Sequence, residues 1–262
     1  MLARVNILYT YFKLGVMNEL AYRANFYVQI FSSLMSLGSA IAGLYVVFGH
    51  TETLGDWTSN DILALLGIYL MVNGAIRVVI QPSMERLMED VREGTLDYTL
   101  TKPEDAQFLI SISQIRIWML TDVLLGAIVL GVSLTRHSLE TTAADALAFG
   151  IVLFCGGVII YSFWLMLATL SFWFIRIENI FVIFQSMYQA GRWPIGIYPY
   201  WLKFVLTFIV PIAFAITVPA EALTDRLTSS ALLLDIAIAV GMLVISRVFW
   251  RIGLRNYSGA SA

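Results

Sequence analysis

The chain has 262 residues, 59% of them hydrophobic and 13% charged, with a formal net charge of -2 and a mean hydropathy of +0.81. Soluble domains carry about 25% charged residues, so this composition excludes one and describes a polytopic membrane protein. The net charge argues neither for nor against nucleic acid and no such partner is expected; the lone Cys155 excludes an intrachain disulfide, and no Cys/His cluster suggests a metal site.

Residues 1–23 are not expected to be a signal peptide, because no short apolar core ends in a small-residue cleavage site. Leu2, Val5, Leu8, Tyr9 and Phe12 recur at roughly helical spacing beside Arg4 and Lys13. That pattern predicts an interfacial helix along the membrane; an extension of the first span is the alternative. A span needs about 20 apolar residues to cross about 30 Å of hydrocarbon. Residues 24–48 meet this as span one, and His50 to Asn60 form a short polar loop. Residues 62–80 are span two, with Asn73 inside and Arg77 near its end. A polar segment, 82–107, separates it from span three at 110–134, which carries Arg116 and Asp122. A second short loop contains His137, and 146–174 is span four, 29 residues without a charge. Arg176-Ile-Glu178 signals a turn. Two intermediate apolar runs follow, 179–191 and 204–220, the latter broken by Pro211 and ended by Pro219. The final span is 231–250, with Asp235 and Arg247 near its ends, before a basic and then small, polar tail.

Lys and Arg alone orient the chain. With a cytoplasmic N-terminus, twelve fall inside and four outside. Both termini are then inside, so the number of crossings is even. Only one of the two intermediate runs crosses, and hydropathy alone selects 204–220. The other must be re-entrant or interfacial, with its backbone polar groups covered by protein or facing a wet cavity.

Segment 82–107 is the most distinctive. Met84, Leu87, Met88 and Val91 fall at i, i+3, i+4 and i+7, an apolar stripe at the helical period. Acidic and basic residues fill the other face, and Gly94 stands where a helix C-cap is expected. Pro103, followed by Glu104 and Asp105, reads as the start of the next helix. Seven acids against three bases make the segment a poor seeker of anionic lipid and suit it to a groove on a protein.

No phosphate-binding loop, zinc-protease motif or nucleophile elbow is present, so no catalytic residue is expected. Asp122 is the best-placed intramembrane charge. It reads as a polar group bonded to a neighbouring helix, whose replacement by Asn should alter transport little. The seven tryptophans lie near the ends of runs and suggest an aromatic belt. The spans show no charged cavity, which favours a hydrophobic or amphipathic cargo.

The run REGTLDYTLTKPEDAQF, 92–108, resembles the signature of ABC-2 type exporter permeases, in a compact six-span subgroup. Its matching residues are Gly94, Thr95, Leu96, Asp97, Tyr98, Leu100, Lys102 and Pro103. The Pro-rich stretch 192–223 and the tail 249–261 are similar to that subgroup as well. The resemblance implies an all-α membrane protein forming a single transmembrane permease domain over 1–262. It would have an N-terminal interfacial helix, six transmembrane helices, a cytoplasmic coupling helix between spans two and three, and re-entrant helices before span six. It favours about 177–192 as span five and 194–222 as the re-entrant region. It implies a multi-pass location in a prokaryotic plasma (inner) membrane, with both termini cytoplasmic. It further implies a partner ATP-binding-cassette ATPase subunit that binds ATP and Mg, no cofactor in this chain, and a second permease in a homodimer or heterodimer within membrane lipid. Residues implied to meet the ATPase are Met84, Leu87, Met88, Val91, Gly94, Leu96, Asp97 and Pro103. The function implied is ATP-driven export of a hydrophobic or amphipathic substrate. An ion-coupled secondary transporter using Asp122 would want more buried charge and repeat symmetry. A non-transporting membrane scaffold is the other rival, and a membrane enzyme would want a catalytic constellation.

Overall fold

A computed structural model describes residues 2–20, 23–136, 143–174 and 178–257. His137, the turn expected at Arg176 and the end of the tail lie outside them. Within the described residues the chain forms α1 (Leu2–Leu20), α2 (Arg23–Phe48) and a hairpin of β1 (Thr53–Leu54) and β2 (Trp57–Thr58). Then come α3 (Ser59–Glu93), α4 (Asp97–Leu100), α5 (Ala106–Ser111), α6 (Ile117–Arg136), α7 (Ala143–Phe172) and α8 (Glu178–Tyr188). The last three are α9 (Tyr200–Ile209), α10 (Ala213–Leu223) and α11 (Ser229–Arg255). Five helices, α2, α3, α6, α7 and α11, are long and apolar enough to cross a membrane, or six candidate spans if the bent pair α9–α10 is one.

Span two and the amphipathic helix expected after it form one rod. Thr58 and Asp61 close a reciprocal capping box at its start, the Thr58 hydroxyl accepting from the Asp61 N–H at 3.3 Å and the Asp61 carboxylate from the Thr58 N–H at 3.0 Å. The helix is apolar on nearly all sides to Ile80 and accordingly buried. It loosens to π-helical winding over Ile76–Ile80, just before Pro82. Pro82 has no N–H to offer the Val78 carbonyl one turn back. That carbonyl accepts the Arg116 N–H instead, at 2.8 Å. The helix therefore survives its proline and runs amphipathically to Glu93, where Gly94 at φ 72° ends it. Its 35 residues span about 52 Å, well beyond the hydrocarbon.

The same contact shortens span three. Residues 110–134 are not one helix: Ala106–Ser111 is a separate short helix, and the spanning helix starts at Ile117. Between them the chain lies against α3. The Ser83 hydroxyl donates to the Gln114 carbonyl at 3.1 Å and accepts the Gln114 N–H at 3.3 Å. Arg116 adds its backbone bond to Val78 and an ion pair with Glu85 at 2.9 Å. The start signal at Pro103 is displaced too, since Asp105 caps α5 through the Phe108 N–H at 3.1 Å.

Pro211 breaks the run after α8 as its missing N–H predicts. The legs α9 and α10 meet at 81° across Val210–Ile212. Pro219 does not end its helix, because α10 passes through it to Leu223 after a π-helical stretch at Ala213–Thr217. This repeats the device seen at Pro82.

Glycines set the closest packing. A Cβ on Gly126 of α6 would lie 2.6 Å from both the Gly67 carbonyl oxygen and the Met71 nitrogen of α3. One on Gly74 would lie 2.8 Å from the Val123 nitrogen. Close approach through small residues is the usual way spans associate where lipid supplies no hydrophobic drive. Helix α7 packs against α10, with Gly156 against Ala215, and against α11, with Gly253 against Thr169 and Phe172. The aromatic-belt reading needs correction for three tryptophans. Trp57, Trp164 and Trp250 are buried inside the chain, whereas Trp173 and Trp201 are exposed.

Candidate transport pathway and coupling surface

Three helices aim polar stripes at one place. Gln29, Ser32, Ser33 and Ser36 repeat along α2; Tyr69, Asn73 and Arg77 follow one face of α3; Gln185, Gln189 and Arg192 follow α8 and the 3-10 turn that extends it. Each set keeps i, i+3/i+4, i+7/i+8 spacing, so each occupies one helix face. Together they enclose a cavity of about 280 Å³. A polar stripe facing hydrocarbon is costly, whereas one lining a wet or ligand-filled space is not.

Asp122 of α6 closes one wall. It is buried, forms an ion pair with Arg77 at 3.0 Å and accepts a hydrogen bond from the Ser33 hydroxyl. Ser33 in turn accepts from Gln29 at 3.0 Å. The expectation of a carboxylate bonded to a neighbouring helix is met, with a full charge as one of its partners. Arg192 on the opposite wall is less satisfied. Its Nη2 donates to the Ser36 hydroxyl at 3.4 Å, and its guanidinium lies 5.3 Å from the Tyr69 ring centroid. Its buried Nε has no partner among the described residues.

The cavity has neighbours at both ends. Val182 and Gln185 are shared with a larger one of about 460 Å³, walled by Glu85, Arg86, Glu89 and Arg116 around the lower part of α3. Arg192 is shared with a smaller, more apolar one of about 150 Å³ beside Leu44, Leu66 and Trp193. The three spaces follow one another along α3 and α8. A charged cavity therefore exists, contrary to the expectation from the spans. Its signal was in the sequence as polar residues at helical period inside apolar runs.

The amphipathic segment 82–107 lies beside the largest of the three. Its apolar stripe faces inward: Met84, Leu87 and Met88 are 0, 1 and 6% exposed, and Val91 packs partly buried against the same core. The stripe that periodicity offered to a partner is thus covered by this chain's own α5 and α7. Leu96 is also fully buried. The outer face carries ion pairs of Arg86 with Glu89 at 3.1 Å and with Asp90 at 2.9 Å. The Asp90 carbonyl accepts the Thr95 and Leu96 N–H groups at 2.9 and 3.2 Å, folding the turn back on the helix. Gly94 and Asp97 are part-exposed in this turn, Pro103 is exposed, and Tyr98 is 75% exposed. Behind it, Arg247 of α11 pairs with Asp105 and donates to Gln107 at 2.6 Å; Gln107 donates to the Tyr161 hydroxyl of α7 at 3.0 Å. The hydrogen bonds from Arg247 hold the Asp105 carboxyl below its ordinary range. The turn is thereby wired to two spans.

The family described as ABC-2 family transporter protein matches residues 34–261. The chain belongs to that family. No curated protein and no solved structure matches the chain. As an ABC-2 family transporter protein, it is a multi-pass integral membrane protein and a permease component of an ABC transporter, a class associated with an ATP-binding-cassette ATPase partner.

Proposed function

We propose that this permease exports an amphipathic substrate from the cytoplasm, using ATP and Mg bound by a separate ATPase subunit. The observation that carries the reading is the series of three adjoining cavities, largest at the charged end of α3 and smallest beyond Arg192. Substrate enters from the larger, cytoplasmic end. ATP and ADP states of the partner favour two permease conformations through different affinities, and that difference gives direction. In a second permease, identical or not, the same route lies against this one across the membrane plane.

The ATPase contacts the outer face of the Gln81–Glu93 stretch and the turn from Gly94 to Pro103, including Asp97 and Tyr98. Met84, Leu87, Met88, Val91 and Leu96 serve the same interface from behind. They transmit movement to α5 and α7, because α3 is one continuous rod from membrane to turn. Leu87→Asp would bury a carboxylate and unfold the permease, so Tyr98→Asp is the cleaner probe. It should weaken association with the ATPase about ten-fold or more, as loss of an interface aromatic does, with no change in permease melting temperature. Undiminished co-purification and coupled ATP turnover in Tyr98→Asp would remove this surface from the interface.

Span five is the stretch of about 177–192, made of α8 and its 3-10 extension to Arg192. The bent pair is re-entrant, a reading supported by the 81° bend between its legs at Val210–Ile212. Both termini are cytoplasmic in the inner membrane, and α1 lies along its surface. On a Cys155→Ala background, Gly196→Cys should react with an impermeant maleimide on intact cells and Glu93→Cys only after permeabilisation. The reverse pattern would overturn the orientation. The ion-coupled rival gains no support from Asp122, which is already neutralised by Arg77.

A further inference from the structure

We propose that the cavity between α2, α3 and α8 recognises an anionic group, phosphate or carboxylate, on the polar end of the exported amphipath, with Arg192 as its binding residue. This rests on the export reading and names the substrate class of that site. Three observations carry it. The lining holds two cations and one anion, and the anion is consumed: Asp122 is paired with Arg77 and bonded to Ser33. Arg192 is left with a single long hydrogen bond, to Ser36 at 3.4 Å, and a buried Nε without a partner among the described residues. A guanidinium carries five N–H donors in a planar fork that matches the oxygens of carboxylate and phosphate. Gln189 and Gln185, one and two turns before it on the same face, add neutral donors to the same space.

The neighbouring cavity supplies the other half of the argument. Arg192 stands between the polar space and the smaller one lined by Ala40, Gly43, Leu44 and Leu66. A molecule held by its anionic end at Arg192 has an apolar surface directly beside it. The Tyr69 ring, 5.3 Å from the guanidinium, holds the cation in place without occupying its donors. A quaternary ammonium head would instead meet the uncompensated charge of Arg192 and be repelled.

The test is calorimetric binding to the full chain in phosphatidylcholine nanodiscs, with empty nanodiscs subtracted. The probes are dodecyl phosphate, dodecyl trimethylammonium and inorganic phosphate. Dodecyl phosphate should bind about ten-fold or more tightly than the ammonium probe, as a charge-assisted hydrogen bond requires. Arg192→Gln should abolish that preference, and Arg192→Lys, which keeps the charge but not the fork, should retain part of it. Inorganic phosphate that binds and displaces dodecyl phosphate would make the ligand a free anion; no displacement makes the tail part of recognition. Equal binding of the two dodecyl probes, or an unchanged preference in Arg192→Gln, overturns the proposal. ATPase association and turnover of the wild-type complex are read separately, so a permease that couples to ATP but shows no anion preference loses this site alone.

Discussion

Asp122→Ala is expected to destabilise the permease by about 3 kcal/mol, the lower end for breaking a buried ion pair, since Arg77 is 31% exposed to the cavity. The loss comes from stranding the Arg77 guanidinium among membrane spans and leaving the Ser33 hydroxyl without its acceptor. Asp122→Asn should follow it closely, because an amide keeps the acceptor for Ser33 and loses the counter-charge. The double variant Arg77→Met/Asp122→Leu removes both charges. It should recover most of the stability, since replacing a buried pair by apolar groups is near neutral while removing one member is not. Thermal unfolding of the detergent-purified proteins measures all three. Single variants that melt with the wild type, or a double variant no better than the singles, would show that the pair contributes nothing to the fold.

A larger effect is expected from Gly126→Leu. The added Cβ would meet the Gly67 oxygen and Met71 nitrogen at 2.6 Å, and both are backbone atoms that cannot swing aside. Helices α3 and α6 must separate, which also pulls apart the mutual hydrogen bonds of Asn60 and Ser133, at 3.1 and 2.8 Å, at the far end of the same contact. Because overpacking by single methylenes already costs about 1–3 kcal/mol, a four-carbon side chain here should leave no monodisperse folded protein by size-exclusion chromatography. Gly131→Leu on the same helix is the control. Nothing lies within 4 Å of its Cβ, so it should purify as the wild type does. If Gly126→Leu purifies equally well, α3 and α6 do not pack as described.

Several features were legible in the residues because they depend on local chemistry. The apolar runs, the helical period of Met84, Leu87, Met88 and Val91, the left-handed cap at Gly94 and the break at Pro211 each follow from a few neighbouring side chains. What misled were features whose outcome depends on a distant partner. Pro219 does not end its helix, since a π-helical turn precedes it, and span two does not stop at Ile80 but runs on through Pro82, where the Arg116 N–H fills the vacancy. Residues 112–116 fall inside the run expected as span three, yet their backbone is held by Ser83 and Val78 some thirty residues earlier.

The candidate site divides in the same way. The polar stripes on α2, α3 and α8 were present at helical spacing, but reading each span for net hydropathy hid them. Hydropathy averages around a helix, whereas a cavity is made by one face. The apolar stripe of Met84, Leu87, Met88 and Val91 was recognised, and what it packs against is this chain's own core. Periodicity shows that one face is apolar and cannot show what covers it.

By itself, then, the sequence determined a membrane protein of apolar helices, with a polar helix and turn of the ABC-2 kind after the second of them. Only the tertiary structure decided that this helix is the end of span two, that its apolar face is buried at home, and that Asp122 answers Arg77 while Arg192 has no such match among the described residues. The reason is physical. Transfer of a span into lipid is a sum over its own residues, while the fate of a buried charge or a freed carbonyl is settled by whichever distant group reaches it first.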